Sequence, residues 1–531
     1  MSLRRLVAVL LFCAAPVLHA EAPGVYAITG GTVHPVSGPA IANGTVIVRD
    51  GLIEAVGANV AVPRDATVID VAGAHVYPGL IDAQTSLGFA APAPRRSGFG
   101  GGGGAARPTE SAPEPTPDSL ALRNVKLSDD DVDARRAIGV TTIATAPAAG
   151  IFNGQSVVLN LGGGSVESRV ILSPATLQIS FNPRSTWIYP DSLMGVIAYI
   201  RQTFLDAQQH AAAHAVYERT PAGLRRPPEN PALDALQPVL RRELPVVFLA
   251  DSAEMILRVQ ALARELNVRY IISGARQAYE LADDLKNVPV LVSVKWPVAP
   301  ADKEDREDQP LRVIRDRQLA PTTPAALAKA GAQFALVSGG GKTGDFFPGI
   351  RKAIDNGLSA DDALRATTLA PARILGIDRQ LGSLERGKIA NVVVSDKPLF
   401  DEKAKVTRLF VDGREIRLPR EDKKAAESPA SPIDGTWNVT VRAPQGSIAM
   451  SVTLHAEDGK LTGTYSGDRG SGEIRSGSFD GSAFELTISA SAQNEAETTD
   501  WVFRGTLSAD TMQGTVSTTL GTFDFSGSRS R

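Results

Sequence analysis

The 531-residue chain has one cysteine, six histidines and only 5% aromatic residues. The single thiol, Cys13, sits in the leading segment, so the rest of the chain can form neither a disulfide nor a cysteine-ligated metal site. Charge of one sign is scarce as well: 55 Lys+Arg against 58 Asp+Glu give −3, and setting aside Arg4 and Arg5 brings the remainder to −5. That balance excludes a nucleic-acid binder driven by counterion release. No apolar run reaches the roughly 20 residues that a membrane-spanning helix needs. No Gly-x-Ser-x-Gly elbow occurs, so serine-hydrolase chemistry lacks its usual sign.

What is present, 43% hydrophobic and 21% charged residues, is the composition of a globular protein with a large core, and the length suggests three or four domains. Arg4 and Arg5 precede an apolar run from Leu6 to Leu18 that ends at His19-Ala20. This is the pattern of a cleaved secretory signal, so residues 1–20 are expected to be a leader and the mature protein periplasmic or secreted. From Tyr26 to Val76, short β-rich pieces are punctuated by Asn43-Gly44 and Asp50-Gly51, both hairpin signals. Residues 89–118 turn to Gly, Pro, Ala and Ser, with Gly100 to Gly104 unbroken. Such a stretch buries too little apolar surface to offset its ordering entropy and reads as a flexible loop.

Between Asp129 and Gly376 strand and helix patterns alternate. The apolar run Pro245 to Ala250 reads as a strand, and Asp251 with Glu254 three residues on reads as the capping box of a helix. Along that helix Met255, Ile256, Val259, Leu262, Ala263 and Leu266 keep the helical period, and a second strand is expected over Val268 to Ile272. A helix over Arg276 to Leu285, a strand over Val288 to Val292, a helix opened by Thr323-Pro324 and a strand over Phe334 to Val337 continue the series. Repeated βα units imply a parallel sheet with right-handed crossovers, and so many in succession favour a (β/α)8 barrel. Residues 419–431 form a charged, Ala/Pro/Ser-rich linker. Residues 432–531 then alternate at period two (Ile448, Met450, Val452, Leu454), as a separate all-β barrel or sandwich does.

Histidines are thinly spread. His34 and His75 fall in the N-terminal β layer and His455 in the C-terminal domain, which leaves His210 and His214 in the barrel segment. Their i, i+4 spacing puts both on one helix face, able to hold a metal, with only alanines between them and no general base. Ser338-Gly339-Gly340-Gly341-Lys342-Thr343 follows a strand and suggests an anion-binding backbone nest, although Leu336 stands where a nucleotide P-loop needs its first glycine.

Tyr77-Pro78-Gly79-Leu80-Ile81-Asp82-Ala83, Leu369-Ala370-Pro371-Ala372-Arg373-Ile374-Leu375-Gly376, Gly382-Ser383-Leu384-Glu385-Arg386-Gly387-Lys388-Ile389-Ala390-Asn391 and Val411-Asp412-Gly413-Arg414 together resemble the framing motifs of the amidohydrolase superfamily, nearest its imidazolonepropionase-like members. The resemblance spans about residues 24–418. It implies a distorted (β/α)8 barrel over 79–384 and a composite β-sandwich built from 21–78 and 385–418. It also implies metal-assisted hydrolysis of non-peptide C–N and amide bonds. The implied ligand positions, however, carry other residues. The two histidines of the first strand fall on Gln84 and Ser86, those of the fifth and sixth on Leu249 and Ser273, and the final-strand aspartate on Gly339. The bridging residue of the fourth strand has no clear counterpart in the sequence.

Amide and hydroxyl groups are poor ligands for zinc-like ions, and Leu and Gly supply none. The expectation is therefore a barrel without a metal cofactor whose rim binds a small, anionic molecule, with Gln84, Ser86, Asp251, Ser273, Arg276, Ser338 and Lys342 as candidate contacts. The alternative is an active hydrolase of cyclic amides or dipeptides, holding divalent zinc through Asp251, Asp345 or the His210/His214 pair. A third reading places the function in the C-terminal domain, where Gly435-x-Trp437 and Trp501-x-Phe503 are weakly similar to small lipocalin-like modules.

Overall fold

The computed structural model describes residues 24–89, 115–183, 189–300, 309–341, 343–418, 431–443, 446–457, 459–467, 470–491, 498–518 and 521–529. The segment expected to be a leader, nearly all of the Gly/Pro-rich stretch, Lys342 and most of the linker lie outside them. The chain divides into two compact units, Met1–Pro419 and Arg420–Arg531.

In the first unit, both flanks of the barrel build one eight-stranded sheet. Its order runs Arg414–Ile416, Val406–Val411, Val392–Ser395, His75–Pro78, Tyr26–Val33, Ile41–Arg49 and Leu52–Gly57, with Thr67–Asp70 also on Tyr26–Val33. The two flanks meet where Val392–Ser395 pairs antiparallel with His75–Pro78. Between them Ile28, Val46, Val76, Val392 and Phe410 are fully buried. Gly79 then carries the chain from this layer into the barrel at a point where no side chain fits, since a Cβ there would lie 2.1 Å from Thr141 Oγ1. Asn391 organises the junction: its Nδ2 donates to Asn160 Oδ1 (3.1 Å) and Thr141 Oγ1 (3.2 Å), and its Oδ1 accepts from the Asp412 amide (3.0 Å). Asn160 in turn donates to Asp412 Oδ1 at 2.6 Å. Buried polar groups are thus paired with one another, as a low-dielectric interior requires.

Among the described residues the barrel has seven parallel strands: Leu80–Thr85, Val140–Thr145, Leu177–Ser180, Val246–Ala250, Tyr270–Gly274, Val290–Ser293 and Phe334–Val337. Between the second and third of these, the wall is filled by Phe152–Gln155 and Val157–Asn160. The latter runs antiparallel to Val140–Thr145 and the former antiparallel to Leu177–Ser180. This is the distortion of the (β/α)8 pattern. The parallel strands are buried along most of their length because helices or neighbouring strands cover both faces.

Local readings differ at two places. The Arg276 to Leu285 segment forms only a 3-10 turn, Ala278–Glu280, within a run of turns. The first residue of the helix Ala253–Glu265 is preceded by Ser252, which caps it by accepting from the Met255 amide, while Asp251 reaches across to Arg276 instead. A serine hydroxyl caps as well as a carboxylate does, and that leaves the acid free for an ion pair.

The second unit is a closed barrel of eight antiparallel strands, in which Gly435–Ala443 pairs with both Gly446–Glu457 and Gly521–Arg529; the short strand Gly470–Glu473 extends one edge. Its interior is filled. Trp437 is fully buried and donates from Nε1 to the Ile433 carbonyl at 2.9 Å. Phe525 packs against both Phe484 and Phe503. Among Val439, Met450, Phe484, Phe503 and Phe525 only about 10 Å³ stays open, room for one water at most. The aromatic residues of this unit are its core.

Candidate functional site at the barrel rim

The ends of the parallel strands converge on a cavity of about 640 Å³ at the rim of the barrel. Strand register sets its floor: Ser180 pairs with Leu249 and Leu249 with Ser273, so, with the antiparallel pair counted as the third wall position, the fourth, fifth and sixth stand at one level. Gln84 and Ser86 enter from the first strand, and Gly339 and Gly340 from the turn after the last. All five positions at which the resemblance implies metal ligands, Gln84, Ser86, Leu249, Ser273 and Gly339, therefore line one cavity. Ser180 occupies the level at which the fourth-strand residue belongs.

The chemistry of that ring is amide, hydroxyl and hydrocarbon. Gln84 Nε2 donates to Gln178 Oε1 at 3.1 Å, and Gln178 Nε2 donates to Thr176 Oγ1 at 2.7 Å. Asn182, Ser252 and Ser293 add polar groups, while Phe181, Leu193 and Met255 supply apolar wall. Asp251 is the one carboxylate among the described lining residues; its side chain is half exposed and accepts from Arg276 at 3.1 Å. Gly339 has φ +58°, and a Cβ on it would lie 2.2 Å from Ser293 Oγ. No aspartate fits there without displacing the neighbouring strand. Among the described residues no group of three or more His, Cys, Asp or Glu is placed to hold a metal ion. The donor set does not fit a zinc-type centre, which takes imidazole, thiolate and carboxylate ligands in tetrahedral array.

The other candidates are dispersed. Ser338 lies beneath the cavity, buried, with its amide and hydroxyl donating to Asp82 Oδ1 (3.1 Å) and Oδ2 (2.6 Å). It is committed to joining the last strand to the first. Arg276 stands behind Asp251 without lining the cavity. Lys342 lies outside the described residues. The turn after Ser338 closes on itself, with the Gly341 amide donating to the Ser338 carbonyl, so that donor is not available to an anion. Asp345 ends a 3-10 turn and is exposed, away from the cavity lining. His210 and His214 ride on the helix Leu193–Arg219, outside the lining, with ring centroids 4.4 Å apart. His210 bonds Asp234 (3.0 Å) and His214 the Pro228 carbonyl (3.2 Å). Sequence reasoning missed Ser180, Asn182 and Ser293. For Ser180 a signal existed, the alternation of Leu177 and Ile179 with Gln178 and Ser180 over a four-residue strand.

Residues 315–416 match the family model described as amidohydrolase family. The structure superposes on an amidohydrolase from Thermotoga maritima MSB8 with a TM-score of 0.62 and 25% identity, covering 74% of this chain and all of that one. A putative prolidase from Bifidobacterium longum is matched at 18% identity and TM-score 0.47, over 75% of this chain and 96% of that one. A prolidase complexed with N-methylphosphonate-L-proline is matched at 18% identity and TM-score 0.47, over 74% and 100%. With TM-scores under 0.5, neither of these two bears on the reading of this chain. The framing motifs, the composite sheet, the distorted barrel, the family match over residues 315–416 and the Thermotoga structure agree in supporting assignment of this chain to the amidohydrolase superfamily.

Proposed function

We propose that this chain is an exported, non-hydrolytic member of its superfamily whose rim cavity binds a small, uncharged polar molecule. The observation that carries this reading is the ring of Gln84, Ser86, Ser180, Leu249, Ser273 and Gly339, where hydrolytic relatives would need imidazoles and carboxylates. The described lining holds no lysine or arginine, so the cavity suits a neutral ligand better than an anionic one. Hydroxyls and the Gln84 and Asn182 amides offer both donors and acceptors, and Phe181 and Leu249 offer apolar contact, the mixture by which small-molecule sites fix orientation.

The test begins with metal per chain, by elemental analysis of mature protein purified without chelator and again after incubation with zinc. Substoichiometric, easily washed metal and no hydrolysis of dihydrouracil or glycyl-proline are expected. A thermal shift with dihydrouracil, lost in Ser273→Leu, would show the cavity in use. One tightly held ion per chain, together with hydrolysis abolished in Asp251→Ala, would overturn the reading in favour of an active hydrolase with unusual ligands.

A further inference from the structure

A second cavity, of about 1010 Å³, shares no lining residue with the rim. It lies between the composite sheet and the helices Phe346–Asp355 and Ala360–Thr367, next to the strand that leads into the barrel. Three flat rings line it. His34 stacks on Tyr77 (centroids 4.5 Å, 13° between planes) and on His75 (5.4 Å, 30°). Tyr77 is held in place because its hydroxyl accepts from the Leu399 amide at 3.2 Å.

The two imidazoles are joined, His34 Nε2 to His75 Nδ1 at 3.1 Å. When both rings are neutral, one of them donates in that contact. If His34 donates, its Nδ1 is left an acceptor and His75 Nε2 a donor; if His75 donates, the two outer edges exchange roles. Either way one donor and one acceptor nitrogen of the pair remain outside that contact. Burial, and then the neighbouring His75, hold His34 below the ordinary imidazole range, which keeps it neutral at pH 7.

The charged residues of the wall carry both signs, Arg351 and Lys352 against Asp355, Asp361, Asp401 and Glu402. Arg351 and Lys352 come from one helix and Asp361 from the start of the next, and none of the three is tied up in an ion pair among the described residues. Asp361 stands close enough to the rings to act electrostatically on both His34 and Tyr77. Ile354, Leu364, Leu399 and Phe400 add apolar surface to the wall.

We propose that this cavity is a second small-molecule site and that it takes a free α-amino acid with an aromatic or large apolar side chain. An amino-acid head group shows acceptor oxygens beside a donor ammonium, which is what the outer edges of the histidine pair match. Its carboxylate meets Arg351 and Lys352, its ammonium meets Asp361, and its side chain lies on the ring platform or against Phe400. The site stands apart from the rim and does not depend on how the rim is read.

Isothermal titration of L-phenylalanine into the full mature chain tests this. One site per chain is expected. Removing the ammonium (3-phenylpropionate) or the carboxylate (2-phenylethylamine) should weaken binding by about tenfold or more, and so should His75→Ala and Arg351→Ala, the latter a change on a helix surface that leaves the sheet untouched. Ser273→Leu at the rim should leave it unchanged. Absence of saturable heat, loss of binding in Ser273→Leu, or equal affinity for 2-phenylethylamine would overturn the proposal. So would zinc binding that His75→Ala abolishes in a protein that takes no L-phenylalanine, because the pair would then be a metal clip.

Discussion

Asp82 and Gln84 sit two residues apart on the same barrel strand, and their surroundings differ completely. Asp82 is fully buried and spends both oxygens on protein partners: Arg135 Nη1 at 2.9 Å, and the amide and hydroxyl of Ser338. Gln84, at the mouth of the same strand, is half-buried and holds one side-chain bond, to Gln178. Below the rim every change leaves an interior charge or amide unpaired, so the residue types that frame the superfamily remain in place. At the rim the side chains face a cavity, and replacing an imidazole by an amide or hydroxyl costs the fold little. The lesson is that the barrel and its chemistry are separable: strand ends carry function while the layers beneath carry stability.

The sharpest way to break that comparison is to strip Asp82 of its partner. Both members of the ion pair are buried, Arg135 at 2% and Asp82 at 0% exposure, so Arg135→Met leaves an uncompensated carboxylate inside the barrel. A loss of about 3–5 kcal/mol is expected in urea unfolding of the first unit, with the m-value unchanged. A loss under about 1 kcal/mol would mean that water reaches the pair and that the rim and the layer beneath are not distinct. Next in size is Gly339→Asp, which restores a carboxylate at the family position. Positive φ and the clash with Ser293 Oγ predict about 2–3 kcal/mol of destabilisation and no gain in bound zinc. Adding Ser293→Gly should recover part of the stability, still without metal, because imidazole ligands are missing elsewhere in the ring. Stoichiometric zinc in either variant would show that a single residue separates this rim from a working centre.

The fold was legible because its signals are local and redundant. Pro78-Gly79-Leu80 marks the one place where Thr141 tolerates no Cβ, and Lys388-Ile389-Ala390-Asn391 carries the amide that ties three segments together. The strand Phe334–Val337 falls where its apolar run predicts it. The site was legible as a set of positions, since Gln84, Ser86, Leu249, Ser273 and Gly339 do meet in one cavity. Its limits were not. Ser338 reads as an exposed loop residue in sequence, and only the fold brings Asp82, 256 positions away, against it. Arg276 seemed free to bind an anion because nothing local reveals Asp251 beside it. The histidine pair was hidden for the same reason: His34 and His75 are 41 residues apart and become neighbours only through parallel pairing of Val33 with Val76.

Smaller effects sharpen the contrast. Gln84→Ala should cost less than about 1 kcal/mol, since a half-buried amide with one hydrogen bond loses little and solvent can satisfy Gln178. A cost comparable to that of Arg135→Met would show that the rim network is structural.

The smallest effect comes from the junction itself and is read as a pH dependence. Asp412 sits in the tight turn between Val406–Val411 and Arg414–Ile416 with φ +53°, and accepts from Asn160 Nδ2 at 2.6 Å. Burial raises its pKa above the ordinary aspartate value, and the Asn160 bond offsets only part of that rise. The folded state then binds this proton more tightly than the unfolded chain does. Stability is therefore lost as the pH climbs from the unfolded aspartate pKa through the higher folded one. Asp412→Asn keeps an oxygen for Asn160 and tolerates the left-handed backbone, while removing the charge. Its melting temperature should equal that of the parent in acid, where both side chains are neutral, and exceed it slightly at pH 7. The reverse order at pH 7 would mean that the Asn160 contact stabilises the carboxylate more than burial penalises it. The junction would then hold a net-favourable buried charge and would not be a neutral hydrogen-bonded seam.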